Sequence, residues 1–243
     1  METPTDLVNN NLFNTSLYNL SIRICSDGFS LYVYDQSKVL ISLKNVAALL
    51  FSLPSEEIIK LLTQETLLNY KSVRLICESE NYTFIPTPFF KSEEAIDYIQ
   101  FQAKLPKSDQ VIINRIPAWN TVNVFSIPKT LFAAITHVYP NAIIEHHISY
   151  FLSEWVKLQT DSIIYNWVRS KVMDVVVISN GGLKLINSYK FDTSEDFTYH
   201  TLNLYDKLSL DIENCKVVLF NTDKKPELQK MLEKYVTVIK GGR

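Results

Sequence analysis

Met173-Asp-Val-Val-Val-Ile-Ser-Asn-Gly-Gly-Leu-Lys-Leu-Ile-Asn-Ser-Tyr-Lys-Phe191 is two β-rich runs joined by Asn180-Gly181-Gly182. Branched side chains pack well on a pleated surface, and an Asn-Gly pair takes the positive φ that a tight hairpin requires. Immediately upstream, Ser162-Ile-Ile-Tyr-Asn-Trp-Val-Arg169 is a third run of the same kind, so the three predict an antiparallel meander. Downstream, Thr193 or Ser194 is a candidate N-cap, with Glu195 and Asp196 in the first turn, where carboxylates meet the positive end of the helix dipole. A helix over about 194–208 is expected there. Cys215-Lys-Val-Val-Leu-Phe220 then reads as a buried strand, 226–234 as a short helix and Tyr235-Val-Thr-Val-Ile239 as a last strand.

The first half repeats this order. Leu20-Ser-Ile-Arg-Ile-Cys25, Ser30-Leu-Tyr-Val-Tyr-Asp35 and Lys38-Val-Leu-Ile-Ser-Leu43 are strand-like, separated by Ser26-Asp27-Gly28 and Gln36-Ser37. Pro54 precedes Ser55-Glu-Glu, and apolar residues at 58, 59, 61, 62, 67 and 68 predict an amphipathic helix over 55–68. Strands at 72–77 and 82–85, a helix over about 92–102 and a strand at 111–116 complete the half. Between the halves lie a strand at 121–127 and helices over about 129–138 and 145–158. Ile85-Pro-Thr-Pro-Phe-Phe90 and Ile127-Pro-Lys-Thr-Leu-Phe132 echo one another in entering a helix from Ile-Pro, a minor support beside the repeated order. The expected fold class is α/β. Residues 1–16 are polar and are expected as a loosely held arm, 17–120 as the first half, 121–160 as a linking segment and 161–243 as the second half.

The chain has 243 residues, of which 47% are hydrophobic and 21% charged, the profile of a globular protein rather than a disordered one. Lys and Arg (24) nearly balance Asp and Glu (26) without a basic cluster, so nucleic acid is an unexpected partner. Cys25, Cys77 and Cys215 each sit in an apolar run with no second Cys or His at metal-ligand spacing, and read as reduced core thiols. No basic leader with an apolar core and no apolar run near the ~20 residues of a membrane span is visible. A cytoplasmic location without membrane insertion is the expectation.

Three strands, helix, strand, helix, strand is the element order of the ribonuclease-H-like fold. Two copies with a linking helix resemble the actin-like ATPase superfamily, two halves around a central cleft. The bacterial pilus-assembly and type II secretion branch is the most similar. The resemblance spans about Leu17 to Ile239. It is carried by Val124-Phe-Ser-Ile-Pro-Lys-Thr-Leu-Phe-Ala-Ala-Ile135, by Asp174 to Phe191, and by Thr193-Ser-Glu-Asp-Phe-Thr198. More narrowly, the chain resembles a bacterial domain family of unknown function with this fold.

Active members of the superfamily place an Asp on the first strand of each half and follow it with Gly-rich turns. The carboxylate positions Mg²⁺ or water, and bare backbone N–H groups wrap the phosphates. Set against that pattern, Arg23 stands at the first Asp and Cys25 at the first Gly; in the second half Trp167 and Arg169 stand there. Asp27-Gly28 could supply an acid and a glycine, but its place between two strand runs makes it a turn. The resemblance with these departures implies a pseudoenzyme with no catalytic residue, no cofactor and no metal site. Arg23, Trp167, Arg169 and Asp196 are the expected cleft-lining residues, and another protein is the expected partner. Two alternatives are a nucleotide-binding ATPase or kinase with unconventional loops, and a protein binding a small molecule between its halves.

Other features have plainer readings. A two-metal nuclease needs converging carboxylates; Glu56, Glu57, Glu78, Asp196 and Asp223 are better explained as solvated acids and helix caps. His146 and His147, beside Glu145, would point about 100° apart on a helix and could not share a metal comfortably. His137 and His200 are isolated. Tyr98, Phe101, Trp119, Tyr150, Phe151, Trp155, Tyr165 and Trp167 read as packing, with an exposed aromatic patch for a protein partner as the sharper option.

Overall fold

A computed structural model describes residues 15–25, 27–66, 69–101, 105–154, 156, 161–223 and 225–241. The chain divides into two compact units, Met1–Trp155 and Val156–Arg243. Most of the expected N-terminal arm, residues 1–14, lies outside the described residues, and Thr15–Leu17 is a 3₁₀ turn.

The first unit opens with β1 (Asn19–Cys25), β2 (Gly28–Tyr34) and β3 (Leu40–Val46), then α1 (Ser55–Glu65) and β4 (Ser72–Cys77). An insertion follows, made of β5 (Tyr82–Pro86), α2 (Ala95–Gln100), β6 (Asp109–Ile116) and β7 (Thr121–Pro128). The unit closes with α3 (Lys129–Val138), β8 (Ile143–His146) and α4 (His147–Glu154). The main sheet runs β3-β2-β1-β4-β8; β1, β4 and β8 are parallel, and β2 and β3 antiparallel to their neighbours.

Alternation along β1 buries Leu20, Ile22 and Ile24 on one face, where they join Leu31, Val33 and Leu75. Ile58 and Leu62 of α1, and Leu131, Ala134 and Ile135 of α3, close the same core. α1 stops at Thr66, whose amide and hydroxyl both donate to the Leu62 carbonyl, and whose hydroxyl also meets the Tyr139 phenol. The helix is shorter than the sequence pattern predicts, because Thr66 takes extended backbone angles.

The insertion forms a separate antiparallel sheet, β5-β7-β6, with α2 against it and a small core of Ile85, Ala95, Ile99, Val122 and Val124. Here the structure departs from the sequence reading. Val111–Ile116 was the expected last strand of the first half and Thr121–Ile127 part of a linking segment; the two pair with each other instead. The physical reason is burial: residues 121–127 are buried on both faces, as the central strand of a three-stranded sheet must be. The fifth strand of the main sheet is β8, only four residues long, and α3 is the crossover that returns the chain to it. Glu145 and His146 accordingly end a strand, and the helix starts at His147 rather than Glu145.

The second unit comprises β9 (Ile163–Arg169), β10 (Val172–Ser179), β11 (Gly182–Lys190), α5 (Ser194–Leu208), β12 (Lys216–Phe220), α6 (Pro226–Leu232) and β13 (Val238–Lys240). Its sheet runs β11-β10-β9-β12-β13, the same order and strand directions as the main sheet of the first unit. Ser179 pairs with Gly182, leaving Asn180 (φ 51°) and Gly181 (φ 71°) as the two turn residues expected of a hairpin with this twist. Ile164, Val168, Val175, Val177, Phe197 and Leu228 are among the residues of its core.

Candidate functional site

In sheets with parallel strands and helical crossovers, ligands bind beyond the carboxyl ends of the strands. In the first unit that edge lies where β1 ends at Cys25 and β4 at Cys77. The chain leaving β4 stays in register for one more bond, the Glu78 amide donating to the Ile24 carbonyl at 3.0 Å. This sets Glu78 beside Cys25, whose thiol donates to Glu78 Oε1 at 3.3 Å. The two help line a depression of about 330 Å³ together with Ser79, Asn81, Asp109 and Ser126.

Two hydroxyls of the depression are committed to neighbours. Ser79 Oγ donates to the Ser126 carbonyl at 2.7 Å, and Ser126 Oγ to Asp109 Oδ2 at 2.8 Å. Burial, and then the Glu78 carboxylate, push the Cys25 thiol far above its ordinary range. It stays protonated at neutral pH, so it is a poor nucleophile and a poor metal ligand. Glu78, Glu80 and Asp109 give the depression an acidic lining, which repels a phosphate chain through like charge. β1 and β2 stay paired up to Cys25 and Gly28. Gly28 sits at φ 153°, and a Cβ there would lie 2.4 Å from the Val46 carbonyl oxygen. Asp27 therefore lies in the turn ahead of β2, and Gly28 opens that strand as a glycine required by packing.

Arg23 lies on β1 on the face opposite Ile22 and Ile24. Its guanidinium carbon is 5.3 Å from the Tyr32 ring centre and 6.0 Å from that of Tyr150. Arg74 stands on the same Tyr150 ring at 5.2 Å and pairs with Glu145 at 3.1 Å and Glu154 at 3.2 Å. Burial raises the Glu145 carboxyl despite Arg74. Burial acts the same way on Glu154, but hydrogen bonds from Arg74 and Lys38 outweigh it and hold that carboxyl below its usual range. Arg23 and Arg74 thus share one aromatic ring, and Arg74 is further held by two carboxylates.

In the second unit, Trp167 stacks on Phe220 of the adjacent strand, ring centres 5.5 Å apart and planes 18° from parallel. Arg169 makes a two-point contact with Asp174, Nε to Oδ2 at 2.5 Å and Nη2 to Oδ1 at 2.9 Å, and Ser188 Oγ adds a 2.5 Å bond to Oδ1. Around the β9–β10 turn, Asn221 Nδ2 donates to the Val168 carbonyl at 2.8 Å and Lys225 Nζ to the Ser170 carbonyl at 2.5 Å. Asp196 is half of a capping box, accepting from the Thr193 amide while its own amide donates to Thr193 Oγ1. The backbone amides of Asp192 and Thr193 hold its carboxyl below the usual range.

Of the four expected cleft residues, then, Arg23 belongs to the first unit and the other three to the second. Trp167 and Arg169 share one face of β9, while Asp196 lies in the first turn of α5. Sequence reasoning passed over Glu78 as a site acid and gave Asp174 no role. A lone carboxylate inside Met-Asp-Val-Val-Val-Ile was the available signal for the latter, since a charge in a buried strand requires a partner.

Of the histidines, His146 is buried, its Nε2 2.9 Å from the Ser79 carbonyl, while its Nδ1 accepts from the Ile148 amide. His147 Nδ1 lies 3.2 Å from the Cys77 carbonyl. Among the described residues, no three His, Cys, Asp or Glu side chains are grouped to hold a metal ion. The aromatic residues divide: Trp119 is buried and donates to the Leu152 carbonyl, Phe101 is exposed, and Trp155 lies outside the described residues. Among the described residues, no helix is long and apolar enough to cross a membrane.

Two units with this shared strand order give the actin-like ATPase fold. The chain matches a Bacteroides thetaiotaomicron protein of actin-like ATPase fold and unknown function, 25% identical, with a TM-score of 0.81 over 95% of this chain and 93% of that one. It belongs to the family described as Protein of unknown function (DUF3822), whose profile matches residues 8–239. A structure of the PilM-PilN type IV pilus biogenesis complex is similar at 12% identity and a TM-score of 0.54, covering 93% of this chain and 89% of that one. No curated protein matches the chain by sequence.

Proposed function

We propose that this protein is a non-catalytic, protein-binding member of the actin-like fold, acting in a reducing compartment such as the cytoplasm. One observation carries the reading. Where a nucleotide-binding relative needs an acid and bare glycines, this chain has Arg23, Cys25, Trp167 and Arg169, and each side chain is engaged by the chain's own groups. The acidic lining beside Cys25 adds a repulsive term for any phosphate. The three free cysteines, two of them buried, support the choice of compartment. A fold neighbour found in a complex with PilN supports a partner that is itself a protein.

Thermal shift with ATP·Mg²⁺ and ADP·Mg²⁺ tests the nucleotide half. A ligand present at 100 times its Kd adds about 2.7 kcal/mol, a shift of several degrees for a chain of this size; the expected result is no shift. Nucleotide-dependent stabilisation that disappears when Glu78 is replaced by Gln would overturn the reading. The depression beside Cys25 favours one second reading, a small uncharged or cationic ligand held in the first unit. A metabolite released from the purified protein on denaturation, and absent from a Ser126→Phe variant, would establish it.

A further inference from the structure

β8 runs into α4 without a loop, since the strand ends at His146 and the helix starts at His147. His146 is fully buried at this elbow and stands at the N-cap position of α4. Its two ring nitrogens have fixed roles. Nε2 lies 2.9 Å from the Ser79 carbonyl, which can only accept, so Nε2 carries the proton. Nδ1 lies 3.3 Å from the Ile148 amide, which can only donate, so Nδ1 is bare. The neutral imidazole thus caps α4, a task more often given to Ser, Thr, Asp or Asn. A proton on Nδ1 would meet the Ile148 N–H donor to donor, and would put a positive charge at the positive end of the helix dipole.

The insertion docks on the same elbow. Tyr82 of β5 and Phe125 of β7 pack on the His146 ring, with ring centres 4.6 and 5.3 Å away. Asn114 of β6 uses its side-chain amide as a neighbouring strand would use a peptide: Oδ1 accepts from the His146 backbone N–H at 2.9 Å, and Nδ2 donates to the Ile144 carbonyl at 3.0 Å. Asn123 Nδ2 donates to Ser149 Oγ at 2.9 Å, and Trp119 Nε1 to the Leu152 carbonyl at 3.1 Å. All of these partners belong to β8 or to the first two turns of α4, so the dock is only as firm as the start of that helix.

We propose that His146 is a pH-sensitive latch, which caps α4 and holds the insertion on the β8–α4 elbow when neutral and releases that dock when charged. The titratable groups set round its ring are His147 on α4, with ring centres 4.3 Å apart, Tyr82 on β5, and Cys77 opposite it on β4. His147 donates through Nδ1 to the Cys77 carbonyl, and a charge on either imidazole opposes one on the other. The carboxylates that flank the elbow along the chain, Glu78 and Glu145, bond Cys25 and Arg74. Phe125 on β7 and Asn114 on β6 bring no charge. The latch is separate from the nucleotide reading, and its failure would leave that reading intact.

Hydrogen exchange of the full chain at about pH 7.5 and about pH 5.5, corrected for the intrinsic chemical rate, tests it. An exposed imidazole with its ordinary pKa of about 6.5 is about nine-tenths charged at the lower pH, so an opening coupled to one proton grows about tenfold. Amides of 144–152, β6 and β7 are expected to exchange about tenfold faster there, and those of β9 and β10 to keep their rate. His146→Asn leaves a cap that does not titrate, and the acceleration is expected to vanish in it. Should that variant fold poorly, nitrogen NMR of the wild-type imidazoles decides: His146 is expected as the Nε2–H tautomer at the higher pH and uncharged in the closed form at the lower. A ring already charged, or protonated on Nδ1, at the higher pH overturns the inference. So do exchange rates that ignore pH, an acceleration shared equally by the second unit, or one that persists in His146→Asn and so belongs to His147 or Glu145.

Discussion

Arg169 and Asp174 form a two-point ion pair across the β9–β10 turn, with side chains only 10% and 3% exposed. Ser188 Oγ adds a third bond to the same carboxylate, so the pair is part of a small polar cluster across three strands' ends.

Breaking that pair takes the counter-charge from a buried ion, though Ser188 still bonds Asp174 where Arg169 is the one lost. Asp174→Ala is expected to cost about 3–5 kcal/mol and Arg169→Ala a similar amount, read as a lower urea midpoint with the slope kept. Replacing both, as Arg169→Met with Asp174→Leu, is expected to recover most of the loss, because desolvation of two ions is removed along with their attraction. A double variant as unstable as the singles would show that the pair is not self-contained.

The Cys25 thiol reports on the depression beside it. Burial is the larger cause of its raised pKa and Glu78 the next, so Glu78→Gln is expected to lower it and to speed alkylation of Cys25 several-fold at pH 8. Peptide mass spectrometry separates Cys25 from the buried Cys77 and Cys215. An unchanged rate would remove Glu78 from contact with the thiol.

Two carboxyls predict opposite pH behaviour. The Asp196 carboxyl is depressed in the folded state, so its contribution is present above the ordinary Asp pKa of about 4 and is lost as pH falls through the lower folded value. Asp196→Ala is therefore destabilising at pH 7, and its difference from wild type vanishes in acid. Glu145 is raised by burial, so its charged form is the less favourable one in the fold. The contribution of its neutral form is complete below about pH 4.3 and fades as pH rises through the folded value. Glu145→Gln thus gains on wild type toward neutral pH. Chemical denaturation across pH 3–7 reads both signs.

Thr193→Ala removes the other half of the capping box and is expected to cost about 1 kcal/mol. Leu62→Ala, in the core between α1 and the sheet, is expected to cost about 2–5 kcal/mol. Equal losses from the two would mean that α5 is coupled to more than its own cap.

Much of this architecture was legible in the amino-acid pattern. Strand alternation at Leu20, Ile22 and Ile24, the Asn180-Gly181 turn and the Thr193 cap are local signals, and each element appeared where its signal stood. Pairing between distant strands carried no such signal. Ile143-Ile-Glu-His is too short and too polar to read as a strand, yet it completes the main sheet through Arg74–Ile143 and Cys77–His146 pairing. At the candidate site, the paired runs that carry Arg23 and Trp167 were legible as first strands of their units. The joining of Cys25 to Glu78 was not, since it depends on the parallel register of β1 with β4.

The insertion between β4 and α3 sets the timetable of folding. Its hairpin pairing of β6 with β7 is local, with Ile116 opposite Thr121, whereas Cys77 waits for His146 far along the chain. Closing that distance is entropically dear while the intervening chain is loose, and a prefolded insertion shortens the gap to be closed. Amides of β6 and β7 should therefore gain protection ahead of β8 in pulse-labelled refolding, the later segment docking as the final edge.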